Sequence, residues 1–534
     1  MRAAPVRKWG RGLCIAASAL ALLCLAGASV LAQTASPDGV TAVLRAQLDG
    51  TAARPAGLDR AALLRFYRQR DFRPVWVGNP AAKVAVAALE GAAADGFDPE
   101  DYHAAALAAA PADNAAAARY DLMLTDGVLA YAHDLRLGRV EPSRADKMVE
   151  LARSGFDPVA GLSSALASGN LRQWLASLPP ADPQYAALKA LLVRYRAAET
   201  HPWPRLPDVK KIVLKAGAPG LDLLRERLVA EGLLAADAAP DDMPALEAAV
   251  EKFQTRDGLK ADGVVGRQTI AALNVTPAGR VAQIEANLER WRWLPHTLGP
   301  RYIEVNAADT TLKMVDAGKV VLRSRVITGK PKTMTAIFNA QVVAVTVNPP
   351  WNVPLSIARN EILPKMRRNP GYLAHEHIVL VKPPYEFRQL PGADNSLGFL
   401  KLEMPNRFSA YLHDTPVRSL FARDERHLSH GCIRVQNIRP LAAYVLYGDA
   451  ADGAEKIDAA IAAGETKRIP LDKPLPVYVL YWTAMADANG APEFRPDVYG
   501  RDKRLIAALA GQPVNGASLG GASYAQTGCR SVAG

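Results

Sequence analysis

The chain has 534 residues, 49% of them hydrophobic and 22% charged, with a formal net charge of +11. That length calls for several domains rather than one, and four cysteines in so long a chain exclude a disulfide scaffold. The excess charge is mild and forms no dense Lys/Arg stripe with interleaved aromatics, which argues against nucleic acid and suits an anionic polymer as partner.

Arg2, Arg7, Lys8 and Arg11 precede an apolar run from Leu13 to Leu25, and Val30-Leu31-Ala32 places small residues where a signal peptidase reads them. Residues 1–32 are therefore expected to be a secretory signal. The run is short for a bilayer span and no second long one follows. Membrane contact would come only through this segment left uncleaved. Its removal leaves a net charge of +7 and two cysteines, Cys432 and Cys529. Cys529 lies in a Gly/Ser/Ala-rich stretch, and residues 510–534 are expected to be a disordered tail. A Cys432–Cys529 disulfide would silence the thiol and is not expected.

Residues 38–204 are rich in Ala and Leu at helical spacing, as in Asn114 to Leu137 and Tyr185 to Tyr195. Breaks fall at Pro74, Pro111, Pro142 and Pro179-Pro180. This part is expected to be a helical scaffold, with Phe72 and Trp76 as core aromatics. From 206 to 276 the pattern is of short helices around a compact loop. Gly258 reads as a helix C-cap, Asp262-Gly263 as a turn, and Gly266 as the start of another helix. The run AVEKFQTRDGLKADGVVGRQTIAALN resembles the small three-helix peptidoglycan-binding domain. That resemblance implies glycan binding, although Phe253, Leu259 and Leu273 would be core in a plain spacer too. Residues 281–296 read as an amphipathic linker helix ending at Pro295. Residues 300–486 then turn to alternating β-branched strands, at 302–306, 311–315, 320–328 and 341–347. A proline loop at Asn348–Pro354 carries Trp351, a helix is expected over 357–363 and 440–447, and a last strand over 477–483.

The chemistry is expected in YLHDTPVRSLFARDERHLSHGCIRVQN, Tyr411 to Asn437. A cysteine attacks only as thiolate, and so needs a base or a positive field close by. Cys432 follows Gly431, whose backbone freedom lets a substrate approach closely. His413 ends an alternating run nineteen residues earlier, and a strand, loop and return can bring its ring to the thiol. The amides of Gly431 and Cys432 are the expected oxyanion donors. Either Asp414 or a backbone carbonyl would orient the base. His427 and His430 with Cys432 raise the thought of zinc, but no CxxC or HExxH accompanies them, so no metal or other cofactor is expected.

H-D-T-P, a spacer and S-H-G-C-I-R-V together resemble the L,D-transpeptidase catalytic domain of bacterial cell-wall enzymes. The resemblance implies Cys432 as nucleophile and His413 as general base, with Tyr411, Arg434, His430, Trp351 and Asn395 facing substrate. ITGKPKTMT and PGADNSLG match the same family, and DPQYAALKALLVRYR and HPWP resemble the scaffold of its large periplasmic members. The segment from Tyr372 to Arg388 is shorter than the lid of such relatives. The implied fold is multidomain α+β, with a mostly β catalytic domain. The implied partners are peptidoglycan stem peptides and glycan, with accessory cell-wall proteins possible, in the periplasm. The implied reaction is a 3→3 cross-link made through a cysteine acyl-enzyme. An L,D-carboxypeptidase or other hydrolase using the same pair, or a non-catalytic peptidoglycan-binding scaffold, are the alternatives.

Overall fold

The computed structural model describes residues 35–512 apart from 51–56, 153–154 and 202. The expected signal, Cys529 and nearly all of the expected tail lie outside the described residues. The chain is multidomain α+β, helical in its N-terminal part and β-rich in its C-terminal part.

The N-terminal helices gather around α1 (Asn114–Leu137), which is buried on most sides, opens on an Asp113 side-chain cap and ends at Gly138. Its Asp121 is fully buried and accepts hydrogen bonds from the Trp76 amide at 2.8 Å and the Tyr67 hydroxyl at 2.6 Å. A buried carboxylate is tolerable only when so satisfied. Trp76 is thereby fixed as core, as is Phe72. A second long helix, α2 (Pro183–Glu199), leads to the next unit.

That unit packs α3 (Leu221–Ala230), α4 (Met243–Arg256) and α5 (Arg267–Leu273) around Phe253, with Leu273 buried and Leu259 partly so. The buried Gln254 explains the Phe-Gln pair. Its amide accepts from the Asp262 and Gly263 N–H groups and donates to the Val264 carbonyl, clamping the turn that follows α4. Helix α6 (Pro277–Arg292), capped by Thr276, starts four residues ahead of the expected linker and is not amphipathic. It is buried nearly all round. Three of its arginines are committed to different parts of the chain: Arg280 to Asp257, Arg290 to Asp502 at 2.6 Å, and Arg292 to the Tyr185 hydroxyl at 2.9 Å. Charges that the sequence presents as a solvent face are here paired inside. Removing one partner of a buried pair costs about 3–5 kcal/mol, because the other charge is stranded. Arg292 neighbours the fully buried Glu289 at 3.4 Å. We therefore expect Arg292→Met to lower the thermal midpoint in circular dichroism by several degrees. An unchanged midpoint would refute the role given to this helix.

The β-rich domain is a sheet that closes on itself. A short strand of the scaffold, β1 (Val149–Glu150), joins it in parallel at Ile337. The domain's own strands are β2 (Arg301–Asn306), β3 (Thr311–Asp316), β4 (Lys319–Gly329) and β5 (Ile337–Val347). After a side module come β9 (Leu400–Glu403), β10 (Leu412–His413), β11 (His427–Ser429), β12 (Ile433–Val435) and β13 (Lys467–Leu480). The closed order is β5-β9-β10-β12-β4-β3-β2-β13 and back to β5, with β11 pairing β4. Ile303, Val345, Leu402, Leu412, Ile433 and Val477 fill the interior with no exposed area. Each such side chain contributes about 1.5–3 kcal/mol on burial. Helix α7 (Ile438–Tyr447) shares this core.

The side module spans 351–389 and has its own small core around Ile362 and Phe387. Its strands β6 (Trp351–Asn352), β7 (Ile378–Lys382) and β8 (Glu386–Gln389) form a three-stranded sheet beside short helices. The expected helix over 357–363 is there, with a π-helical stretch at Ala358–Ile362. Order also continues past 486. Ala484–Ala486 pairs with Pro492–Phe494, and a helix at Arg501–Leu509 packs back, with Arg501 Nε 2.8 Å from Asp146 of the scaffold.

Candidate active site

The register of two short strands builds the site. β10 and β12 run parallel, pairing Leu412 with Ile433 and His413 with Arg434. Side chains alternate across a sheet, so burying Leu412, Ile433 and Val435 in the interior turns His413 and Arg434 outward. Cys432, one residue ahead of Ile433, and Tyr411, two ahead of His413, fall on the same outer face. The Ile433 amide donates to the Tyr411 carbonyl at 3.2 Å, which locks the register. Tyr411 and His413 meet edge to face with ring centroids 5.4 Å apart. The thiol is partly exposed, and the Arg434 cation lies close enough to feel the sulfur's charge.

His413 is only 5% exposed. Burial first, and the Arg434 guanidinium second, push its pKa down to about 3. At neutral pH the ring is an uncharged base. Its Nδ1 is buried without a hydrogen-bond partner, while the Asp414 main chain, acting on the ring, favours its protonated form. Of the two orienters the sequence leaves open, the Asp414 carboxylate is committed elsewhere. It accepts from the Phe399 amide at 3.1 Å and from Arg418 at 3.1 Å.

The loop before Cys432 is held by residues that the motif does not reveal. The Ser429 carbonyl accepts from the Lys330 amide at 3.0 Å and the Thr333 hydroxyl at 2.9 Å, and the Gly431 carbonyl accepts from the buried Thr335 hydroxyl at 3.0 Å. The Gly-Lys-Pro loop after β4 is thus a brace under the thiol. Gly329 must be glycine there, since a Cβ would stand 2.0 Å from the Thr333 carbonyl. Only the lack of a side-chain signal for main-chain bonding hid Thr335 and Thr333 from the sequence.

Several expected site residues take other places. The Gly431 amide donates to the Ser429 hydroxyl at 3.1 Å, so it points into the turn instead of serving as an oxyanion donor. Asn395 is 1% exposed and its amide binds main chain only, donating to the Leu390 carbonyl at 2.8 Å and accepting from the Leu397 amide at 2.8 Å. It stiffens the wall from inside and offers nothing to a substrate. His427 is buried between Glu425 and the Ala307 carbonyl, away from the thiol's outer face. His430 is exposed, with Nε2 2.7 Å from Glu361 of the side module, and so ties that module to the Cys432 loop. Trp351 is half-buried, packed on the side module's core and paired with Gln389. Among the described residues no three His, Cys, Asp or Glu side chains converge as a metal site would require. Two open pockets lie nearby, one of about 330 Å³ on β2–β4 and one of about 560 Å³ at the 414–418 turn; neither is lined by Cys432 or His413.

Gly431 has φ of +116°, a region that costs other residues about 1–3 kcal/mol. A Cβ there meets nothing closer than 3.6 Å, so the penalty is in the backbone and would re-aim Cys432. We expect Gly431→Ala to lower kcat/KM roughly 10- to 100-fold at near-native folding. Wild-type turnover in this variant would contradict the placement.

Comparison with known proteins follows these boundaries. Residues 300–458 match the family described as "L,D-transpeptidase catalytic domain", residues 61–192 the "Scaffold domain", and residues 218–273 the "Putative peptidoglycan binding domain". A Haemophilus influenzae protein named "Putative L,D-transpeptidase" is 33% identical over 48% of this chain, which spans 57% of that relative. Solved L,D-transpeptidases of Xylanimonas cellulosilytica and Stackebrandtia nassauensis are 17% and 16% identical. Each match covers 52% of this chain, with 98% and 96% of the solved chains and TM-scores of 0.18 and 0.21.

Proposed function

We propose that this chain is an L,D-transpeptidase, its catalytic domain carried behind a scaffold domain and a peptidoglycan-binding domain, and that it makes 3→3 cross-links in peptidoglycan through a cysteine acyl-enzyme. The observation that supports it most is the parallel register that sets His413 and Arg434 side by side, with Cys432 on the same face. His413 takes the thiol proton, and the Cys432 sulfur attacks the carbonyl between the third residue of a tetrapeptide stem and its terminal D-alanine. The Cys432 amide faces the developing oxyanion. The C–N bond breaks, the proton passes to the leaving amine, and a thioester remains. A side-chain amine of a second stem then attacks that carbonyl; its proton goes to His413 and on to the departing sulfur.

Arg434 has two effects in this scheme. It favours the thiolate directly, and it keeps His413 neutral, hence able to accept a proton. The peptidoglycan-binding and catalytic domains support peptidoglycan as the partner. We infer that the mature enzyme acts in the periplasm, reached through the segment read as a signal. The test is to incubate mature protein with a disaccharide-tetrapeptide and separate the products. A 3→3 dimer supports the transpeptidase; tripeptide alone would make water the acceptor and the protein an L,D-carboxypeptidase.

A further inference from the structure

His413 sits in the middle of a row that crosses three strands. Its register partner on β12 is Arg434, and its partner on β9 is Lys401. Directly opposed residues on one face lie about 4.5–5.5 Å apart at Cβ, so two cations bracket the base. Lys401 Nζ stands 4.7 Å from the centroid of the Tyr411 ring, the same ring that meets His413 edge to face.

Neither cation is ion-paired with a carboxylate: Arg434 feels the charge of Cys432, and Lys401 acts on Glu403 only from a distance. Among the described residues no carboxylate lies within 4.0 Å of the Lys401 ammonium or the Arg434 guanidinium, and Arg434 Nε is buried with no hydrogen-bond partner. Glu403, the nearest acid along β9, is held by the Thr346 hydroxyl at 2.6 Å and by Arg468 at 2.9 Å. Two like charges placed beside one base, one of them half-desolvated, disfavour the empty site; an anion between them would relieve both.

The geometry points to a carboxylate clamp: we propose that Lys401 and Arg434 together receive a carboxylate of the acyl donor, and that Lys401 is a specificity-determining residue. This deepens the proposed reaction and rests on it for the donor's identity. There the leaving residue ends in a free carboxylate, about 3–4 Å from the scissile carbonyl carbon by backbone dimensions. A cation one strand away from the base is at the right range to hold it. The clamp selects donors that end in an acid over amidated or extended ones.

Charge selectivity at the thiol tests this without assuming a substrate. Full-length mature protein is alkylated with iodoacetate or iodoacetamide, and modification of the Cys432 peptide is followed by mass spectrometry. Each variant's iodoacetamide rate is its own reference, which cancels any change in thiolate fraction. We expect Lys401→Gln to lower the iodoacetate-to-iodoacetamide ratio by roughly 5-fold or more, and Lys401→Arg to keep it. The same ratio in wild type and a folded Lys401→Gln protein would overturn the clamp. In parallel, KM for a tetrapeptide should rise about 10-fold in Lys401→Gln, and far less for the C-terminally amidated peptide. A shifted ratio with no turnover of tetrapeptide would leave the clamp standing and sink the donor assignment. Turnover with an unshifted ratio would do the reverse.

Discussion

Cys432→Ala is expected to abolish cross-linking, with a loss on the order of 10⁴-fold or more, since the acyl-enzyme route has no substitute once its nucleophile is gone. The fold should not notice. Cys432 is partly exposed, outside the buried cores, and the loop beneath it is held by Ser429, Thr333 and Thr335 through main-chain bonds that the substitution leaves in place. Its circular dichroism and melting should therefore match wild type while product formation disappears. Residual turnover within about 100-fold of wild type would mean that another group attacks, and that the outward face of β10 and β12 is not where the chemistry happens.

His413→Gln is expected to lower kcat/KM by about 10²–10⁴-fold, the usual worth of a positioned base. Its second signature separates this site from a preformed thiolate–imidazolium pair. With a folded pKa of about 3, the ring carries no charge above that pH. The thiol's titration, followed by iodoacetamide alkylation, should then move by less than about one unit in the variant. An ion pair would lose its partner and shift by several. For the same reason kcat/KM should show no acidic limb near the ordinary imidazole value of 6.5. The effect on stability has a definite sign. The folded ring binds its proton only near pH 3, whereas the unfolded one does so near 6.5, so between these values the unfolded chain holds more protons. Stability falls as pH is lowered through that window, and His413→Gln should flatten the fall.

How far the sequence could foresee this depends on what kind of information each residue carries. Cys432 and His413 stand out as candidates because the whole run from H-D-T-P to S-H-G-C-I-R-V carries the resemblance, whereas a lone Cys/His pair is a weak signal. The strands were legible from alternation, which also set which face each residue takes; β4 at Lys319–Gly329 lies within a residue of its expectation. Lys401 was not, because its place beside His413 follows from the pairing of β9 with β10, which no local pattern encodes. Thr335 and Thr333 act on carbonyls from a loop, and a hydroxyl in a loop gives no hint of which carbonyl it meets. Asn395 and the Gly431 amide fit the motif yet bond inward, for a polar group near a site is as often its frame as its contact. Helix α6 misled for a related reason: its mix of charged and apolar residues reads as amphipathic, but Arg280, Arg290 and Arg292 meet buried partners supplied by other segments.

The central claim is covalent catalysis by Cys432, and intact-mass spectrometry of the mature protein with a disaccharide-tetrapeptide tests it most directly. The account predicts an adduct of the donor less D-alanine, mapped to the Cys432 peptide, absent in Cys432→Ala and slow to form in His413→Gln. A well-folded wild-type protein that turns this donor over with no such adduct, or one that carries it in Cys432→Ala as well, would contradict it.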